Sequence, residues 1–190
     1  MSRVSSGSSV ARVGRVRCLT RLSWLLGVIA GVCVAAGTAR ADYTPLTAIE
    51  VRAGSGVAVG GGAGISIWRV APVNLSLRGE YAFLAEPWTS AYGGLLIEAG
   101  TRVGYGFDAG VRVRPSGSRW RVAAGARAVV APYGVYGPTF AVGACGGIAG
   151  SRTRLCADGE VAAFLWGGDL PDGRVAGQAV LGLGIQFDAW

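Results

Sequence analysis

The chain has 190 residues, of which 51% are hydrophobic and 33 are glycine, and it contains neither lysine nor histidine. Without histidine, Ser-His and Asp-His catalysis lacks its base, and without lysine there is no phosphate-loop lysine and no Schiff base. The formal charge of +7 rests on arginine alone, and where those arginines lie decides whether nucleic acid is a partner.

Residues 1–41 differ from the rest. Arg3, Arg12, Arg15, Arg17 and Arg21 precede an uncharged run from Leu22 to Ala39, and Ala39 and Ala41 frame a small-residue exit before Asp42. This is the pattern of a secretory signal peptide cleaved after Ala41. The rival is an uncleaved anchor, because 18 uncharged residues approach a spanning length. Cys33 follows Val32, not the small residue of a lipid-attachment signal. Cleavage removes six arginines and leaves a 42–190 domain with 12 arginines against 11 carboxylates. The basicity is then a targeting feature; no basic cluster remains, and nucleic acid is not expected as a partner. The remaining 149 residues suit one domain.

After residue 42 the pattern is period-2 alternation, the mark of strands with one apolar face. Eight segments are expected: 46–59, 63–70, 73–84, 94–114, 119–131, 138–149, 152–166 and 175–189, or nine to ten if the long one divides. "GGGAG" separates the first two, and the Gly-rich run around it lacks phosphate-loop spacing. In the third, Leu75, Leu77, Tyr81 and Phe83 face away from Asn74, Ser76, Arg78 and Glu80. A glycosylation sequon, "NLS" at 74–76, falls inside this strand, and "EPWTSAYG" after it reads as a turn. From Leu95 to Arg114 the odd positions are almost all apolar, while the even ones carry Glu98, Arg102, Asp108, Arg112 and Arg114 among glycines. Any turn inside this run must contain an odd number of residues, or the faces would exchange.

In the fifth segment Trp120, Val122, Ala124, Ala126, Ala128 and Val130 oppose Arg119, Arg121 and Arg127. In the last, Leu181, Leu183, Ile185 and Phe187 alternate with glycine and Gln186. "APYGVYGP" and "GGDLPDGR" are turn signals; Asp169 and Asp172 in the latter are too few carboxylates for a calcium site. The connections after the even segments ("AP", "PSGS", "GS") are short and those after the third, fifth and seventh are longer, as in outer-membrane barrels.

Cys145 and Cys156 are the two cysteines beyond the leader. If Gly150 and Ser151 form a two-residue hairpin turn, partners are the residues whose numbers sum to 301, which sets Cys145 directly opposite Cys156. Both also lie on the polar faces of their strands. Opposed strand residues are about 4.5–5.5 Å apart at Cα, within disulfide range. Metal binding lacks further ligands, and redox chemistry lacks close C-x-x-C spacing. A structural disulfide follows.

Alternation alone leaves two architectures open: a lipid-facing barrel, and a soluble exported β-barrel binding a small apolar ligand in its interior. The polar face favours lipid, because mixed charges among glycines suit a narrow lumen filled by ion pairs. Its candidates are Arg78, Glu80, Glu98 and Arg102 in the first half. Asp108, Arg112, Arg121 and Arg127 follow, then Arg152, Arg154, Asp158 and Glu160. Aromatics such as Tyr81, Tyr105, Trp120 and Trp166 gather toward strand ends, as interfacial girdles do. A carboxylate-only enzyme is a third class, with Glu80 and Glu98 as its pair, but mixed lumen charges are more often structural.

The C-terminal strand "VLGLGIQFDAW" resembles that of the small eight-stranded outer-membrane β-barrel proteins of Gram-negative bacteria. Phe187 keeps the lipid-facing phase, whereas the terminal Trp190 is one residue out of it. The resemblance implies an all-β, antiparallel, up-and-down transmembrane barrel in the outer membrane, inserted by the barrel-assembly machinery and in contact with outer-membrane lipid. It also implies roles such as envelope stability, adhesion or lipid interaction. Because the chain has no histidine for the catalysis of that family's enzyme members, a non-enzymatic structural, adhesion or envelope-stability role without cofactors or metal is expected.

Overall fold

A computed structural model describes residues 47–62, 65–83, 86–100, 103–115, 118–170 and 175–189. The leader and its exit at Ala41, as well as Arg102, Asp172 and Trp190, lie outside the described residues. The chain order is β1 (Thr47–Gly62), β2 (Ile65–Val70), β3 (Val73–Phe83), β4 (Glu86–Ala99) and β5 (Val103–Val113). Then follow β6 (Trp120–Ala131), β7 (Val135–Gly147), β8 (Thr153–Phe164), β9 (Trp166–Gly167) and β10 (Val175–Ala189). All pairings are antiparallel: β1 pairs with both β2 and β3, β3 through β8 pair in succession, β9 pairs with β7, and β10 pairs with β8 and returns to β1, closing the sheet.

The barrel has eight staves, though not the eight expected. Partner numbers sum to 127 along β1–β2 (Val57 with Val70) and to 128 along β1–β3 (Gly54 with Asn74). The two short strands therefore form one stave with a one-residue register shift at Ala71–Pro72, where the Ala71 N–H still donates to Gly56 O at 2.9 Å. Proline has no N–H to give a ladder, so it belongs at such a bulge. The expected separate strands 63–70 and 73–84 are thus one. The long 94–114 run instead divides into β4 and β5, around three residues that preserve parity.

A second bulge splits β8 from β9. Partners sum to 301 on β7–β8 and to 302 on β7–β9, with Leu165 bridging to Tyr136 O. Gly137 lies against this bulge, where an added Cβ would sit 1.8 Å from Ala163 O. No larger residue fits without shifting the backbone.

The turn lengths also differ from expectation. "EPWTSAYG" is not a turn: β4 begins at Glu86. The end of the barrel holding Thr47 and Ala189, here the terminal end, has connections 84–85, 114–119 and 148–152. The far end has 63–64, 100–102, 132–134 and 168–174.

The faces are inverted relative to a protein that packs its apolar side chains inward. Ile49, Val51, Leu75, Leu77, Leu95, Ile97 and Phe107 are all exposed on the outer wall, while Glu50, Arg52, Arg78, Asp108 and Arg127 are buried within the ring. Outward aromatics form two belts, Tyr81, Trp88, Trp120 and Phe187 toward the terminal end and Tyr105, Tyr133, Tyr136 and Trp166 toward the far end. Inside the far end Leu96, Val129, Ala162 and Phe164 pack as an apolar plug.

Candidate functional site

Below the plug the lumen is a continuous ion-pair network. Inward positions alternate with outward ones, so each stave contributes every second residue. The arginine side chain is long enough to reach staves that share no backbone bonds with its own.

Toward the terminal end Glu50 accepts from Arg121 at 2.5 and 3.1 Å and from Arg112 at 2.9 Å. Arg112 also pairs with Glu80, which accepts from Ser90 Oγ at 2.6 Å. Arg121 continues to Asp158 at 3.2 Å, and Asp158 receives the Arg52 guanidinium at 2.5 and 2.8 Å. Deeper in, Arg78 bridges Asp108 and Glu160, as does Arg127. Tyr92 lies between Arg78 and Arg112, whose guanidinium carbons are 5.4 and 5.2 Å from its ring centre. At the terminal mouth Arg154 Nε donates to Asp188 at 2.7 Å, and Arg114 donates to Gln186 at 3.1 Å.

Nine of the residues expected in the lumen therefore meet in one network: Arg78, Glu80, Asp108, Arg112, Arg121, Arg127, Arg154, Asp158 and Glu160. Glu98 is buried but stands apart, accepting from Gln178 at 3.3 Å. Arg152 is a correction: it is exposed in the 148–152 turn, before β8 begins, where strand parity does not apply. Arg102 lies outside the described residues. The expectation missed Glu50, Arg52, Arg114 and Asp188. The signal for Glu50 and Arg52 was present, since both alternate with Ile49, Val51 and Ala53.

The arrangement argues against the other readings. Among the described residues the lumen is lined mainly by charged side chains, which do not suit an apolar ligand. Glu80 and Glu98 are no catalytic pair, because Glu80 pairs with Tyr92 and Asn74 with Glu98 across β3–β4. Six residues of strand, about 20 Å at about 3.3 Å each, separate them. Asn74 is wholly buried, so its sequon is inaccessible. Asp169 accepts from the Gly134 N–H at 2.5 Å and thereby ties two far-end turns together.

The Cys145–Cys156 disulfide is present, joining directly paired residues with Cα atoms 4.1 Å apart. The hairpin register is the one expected, but the loop is longer: Ile148 and Thr153 close it, and Gly150 (φ +73°) takes the left-handed position of the inner turn. Because the bridge closes a hairpin that the ladder already holds, Cys145→Ser should cost no more than about 2–4 kcal/mol and still fold. Urea midpoints of the oxidised protein and the variant check this; failure of the variant to fold at all would contradict it.

No family model matches this chain, nor does any curated protein. Among solved structures it is similar to neisserial surface protein A, at 11% identity over 75% of this chain and 97% of that one, with a TM-score of 0.52. It is also similar to Ail, the attachment invasion locus protein of Yersinia pestis, at 13% identity over 75% and 99% of the two chains, with a TM-score of 0.46. Closed on itself, antiparallel throughout and apolar on its outer wall, the chain has the fold of the small eight-stranded outer-membrane β-barrel proteins.

Proposed function

We propose that this chain is a non-conducting, non-enzymatic wall element of a bacterial outer membrane, with a role in envelope structure. The observation that carries this reading is the inversion of faces. An apolar exterior needs a hydrocarbon solvent, and the lumen charges are paired with one another across the ring. Among the described residues seven arginines lie inside (52, 78, 112, 114, 121, 127, 154), matched by seven carboxylates (50, 80, 98, 108, 158, 160, 188). The Leu96, Val129, Ala162 and Phe164 cluster adds apolar filling above them, and a ring of eight staves filled by side chains is too narrow for a porin. The fully described connections, 132–134 and 148–152, are short and offer little surface for adhesion, which favours the structural role.

The leader adds export, cleavage after Ala41 and delivery to the barrel-assembly machinery. Envelope fractionation of the native host tests the whole. The protein should sit in the outer-membrane fraction, begin at Asp42, and migrate faster on a gel before boiling than after. A heat-independent, periplasmic protein would overturn the reading.

A further inference from the structure

The outer wall is not uniformly convex. A groove of about 800 Å³ lies on the outside of β5, β6 and β7, toward the far end. Its floor follows from the sequence of β6, whose outward row carries Ala126 and Ala128 there, where other staves carry leucine, valine or phenylalanine. The walls follow from the pairing. Ala128 stands between Phe107 on one side and Tyr136 on the other. The β8 bulge then brings Trp166 beside Tyr136, the two rings stacked with centroids 6.0 Å apart. One rung below, Ala126 stands between Ala109 and Pro138, all small or compact.

We propose that this trough seats one acyl chain of a bilayer lipid, lying along Ala126 and Ala128 of β6 with Tyr136 and Trp166 at its headgroup end. The inference rests on the membrane reading above and adds a defined lipid site to it. The groove is continuous with the apolar outer wall and has a volume in the range of ligand sites, about 300–1,000 Å³. Its backbone groups are already committed to the β5–β6 and β6–β7 ladders. A peptide laid there would find no partners for its own N–H and C=O groups, a cost an alkyl chain does not carry. A second copy related by a two-fold axis would set concave face against concave face and leave the trough unfilled. A flexible alkyl chain fills it, and the aromatic pair lies in the belt where headgroups meet hydrocarbon.

The test uses the full chain refolded into bilayers of phosphatidylethanolamine and phosphatidylglycerol, extracted in mild detergent and weighed by native mass spectrometry. The wild type should carry one retained phospholipid. Ala126→Phe fills the floor and should lower the retained fraction roughly tenfold, with Ala109→Phe as a second filling variant. Val51→Phe, on the opposite wall, should leave it unchanged. A variant with Trp120 as its only tryptophan, refolded with lipids brominated on their acyl chains, reports the membrane reading separately. Quenched Trp120 without a retained lipid, with retention indifferent to both filling variants, or with a dimer in place of the lipid overturns the groove alone. Unquenched Trp120 overturns the membrane reading and the groove with it.

Discussion

Glu50→Gln should destabilise the folded barrel by about 3–5 kcal/mol, the range for removing one partner of a buried ion pair. Glu50 is 1% exposed and receives three hydrogen bonds from two arginines. Glutamine keeps one acceptor oxygen but not the charge, so the Arg112 and Arg121 guanidiniums stay buried with less compensation. Arg121 retains Asp158 and Arg112 retains Glu80, which places the expected loss toward the lower end of the range. The interior also gains one uncompensated positive charge. Adding Arg121→Leu should recover part of the loss, because an apolar residue in place of a buried charge removes the desolvation penalty with it. Urea unfolding of the barrel in lipid vesicles measures both effects as midpoint shifts at constant slope. A loss below about 1 kcal/mol, the value of an exposed pair, would mean that water reaches the network and that the lumen is not sealed.

The two faces of the barrel were legible in the sequence because alternation states which residues share a side. Leu95 to Arg114 kept its parity across the β4–β5 connection, and Cys145 faced Cys156 because both parity and hairpin register pointed there. Where a breaker residue stood inside a stave, the reading failed. Pro72 read as the end of a strand but marks a bulge within one, and Pro87 read as a turn although β4 runs through it. Which arginine meets which carboxylate was not legible at all. Arg52 and Asp158 are 106 residues apart, and they meet because barrel closure brings their staves to one level of the lumen. That level is set by the tilt and stagger of the strands, a property of the closed ring.

Leu77→Arg should cost about 2–4 kcal/mol in a lipid bilayer, the range for a charge at the midplane of a barrel's lipid face. Leu77 is 50% exposed near the middle of β3. It belongs to an outward row that crosses five staves by direct pairing: Ile185, Val51, Leu77, Leu95 and Phe107. Every member of that row is exposed and apolar, and none offers a carboxylate to a new guanidinium. The size of the effect depends on the solvent of the wall, which gives the measurement its force. If water bathed this face, the same substitution would replace an exposed leucine with a residue water prefers. The change would then stay within about 0.5 kcal/mol, as for most surface positions. Snorkelling of the arginine head toward an interface would trim the cost, yet a mid-strand position leaves the longest path to either aromatic belt. Unfolding free energies of wild type and variant in the same phospholipid vesicles check the prediction. A difference near zero would return the outer wall to water and remove the physical reason for calling this barrel a membrane protein.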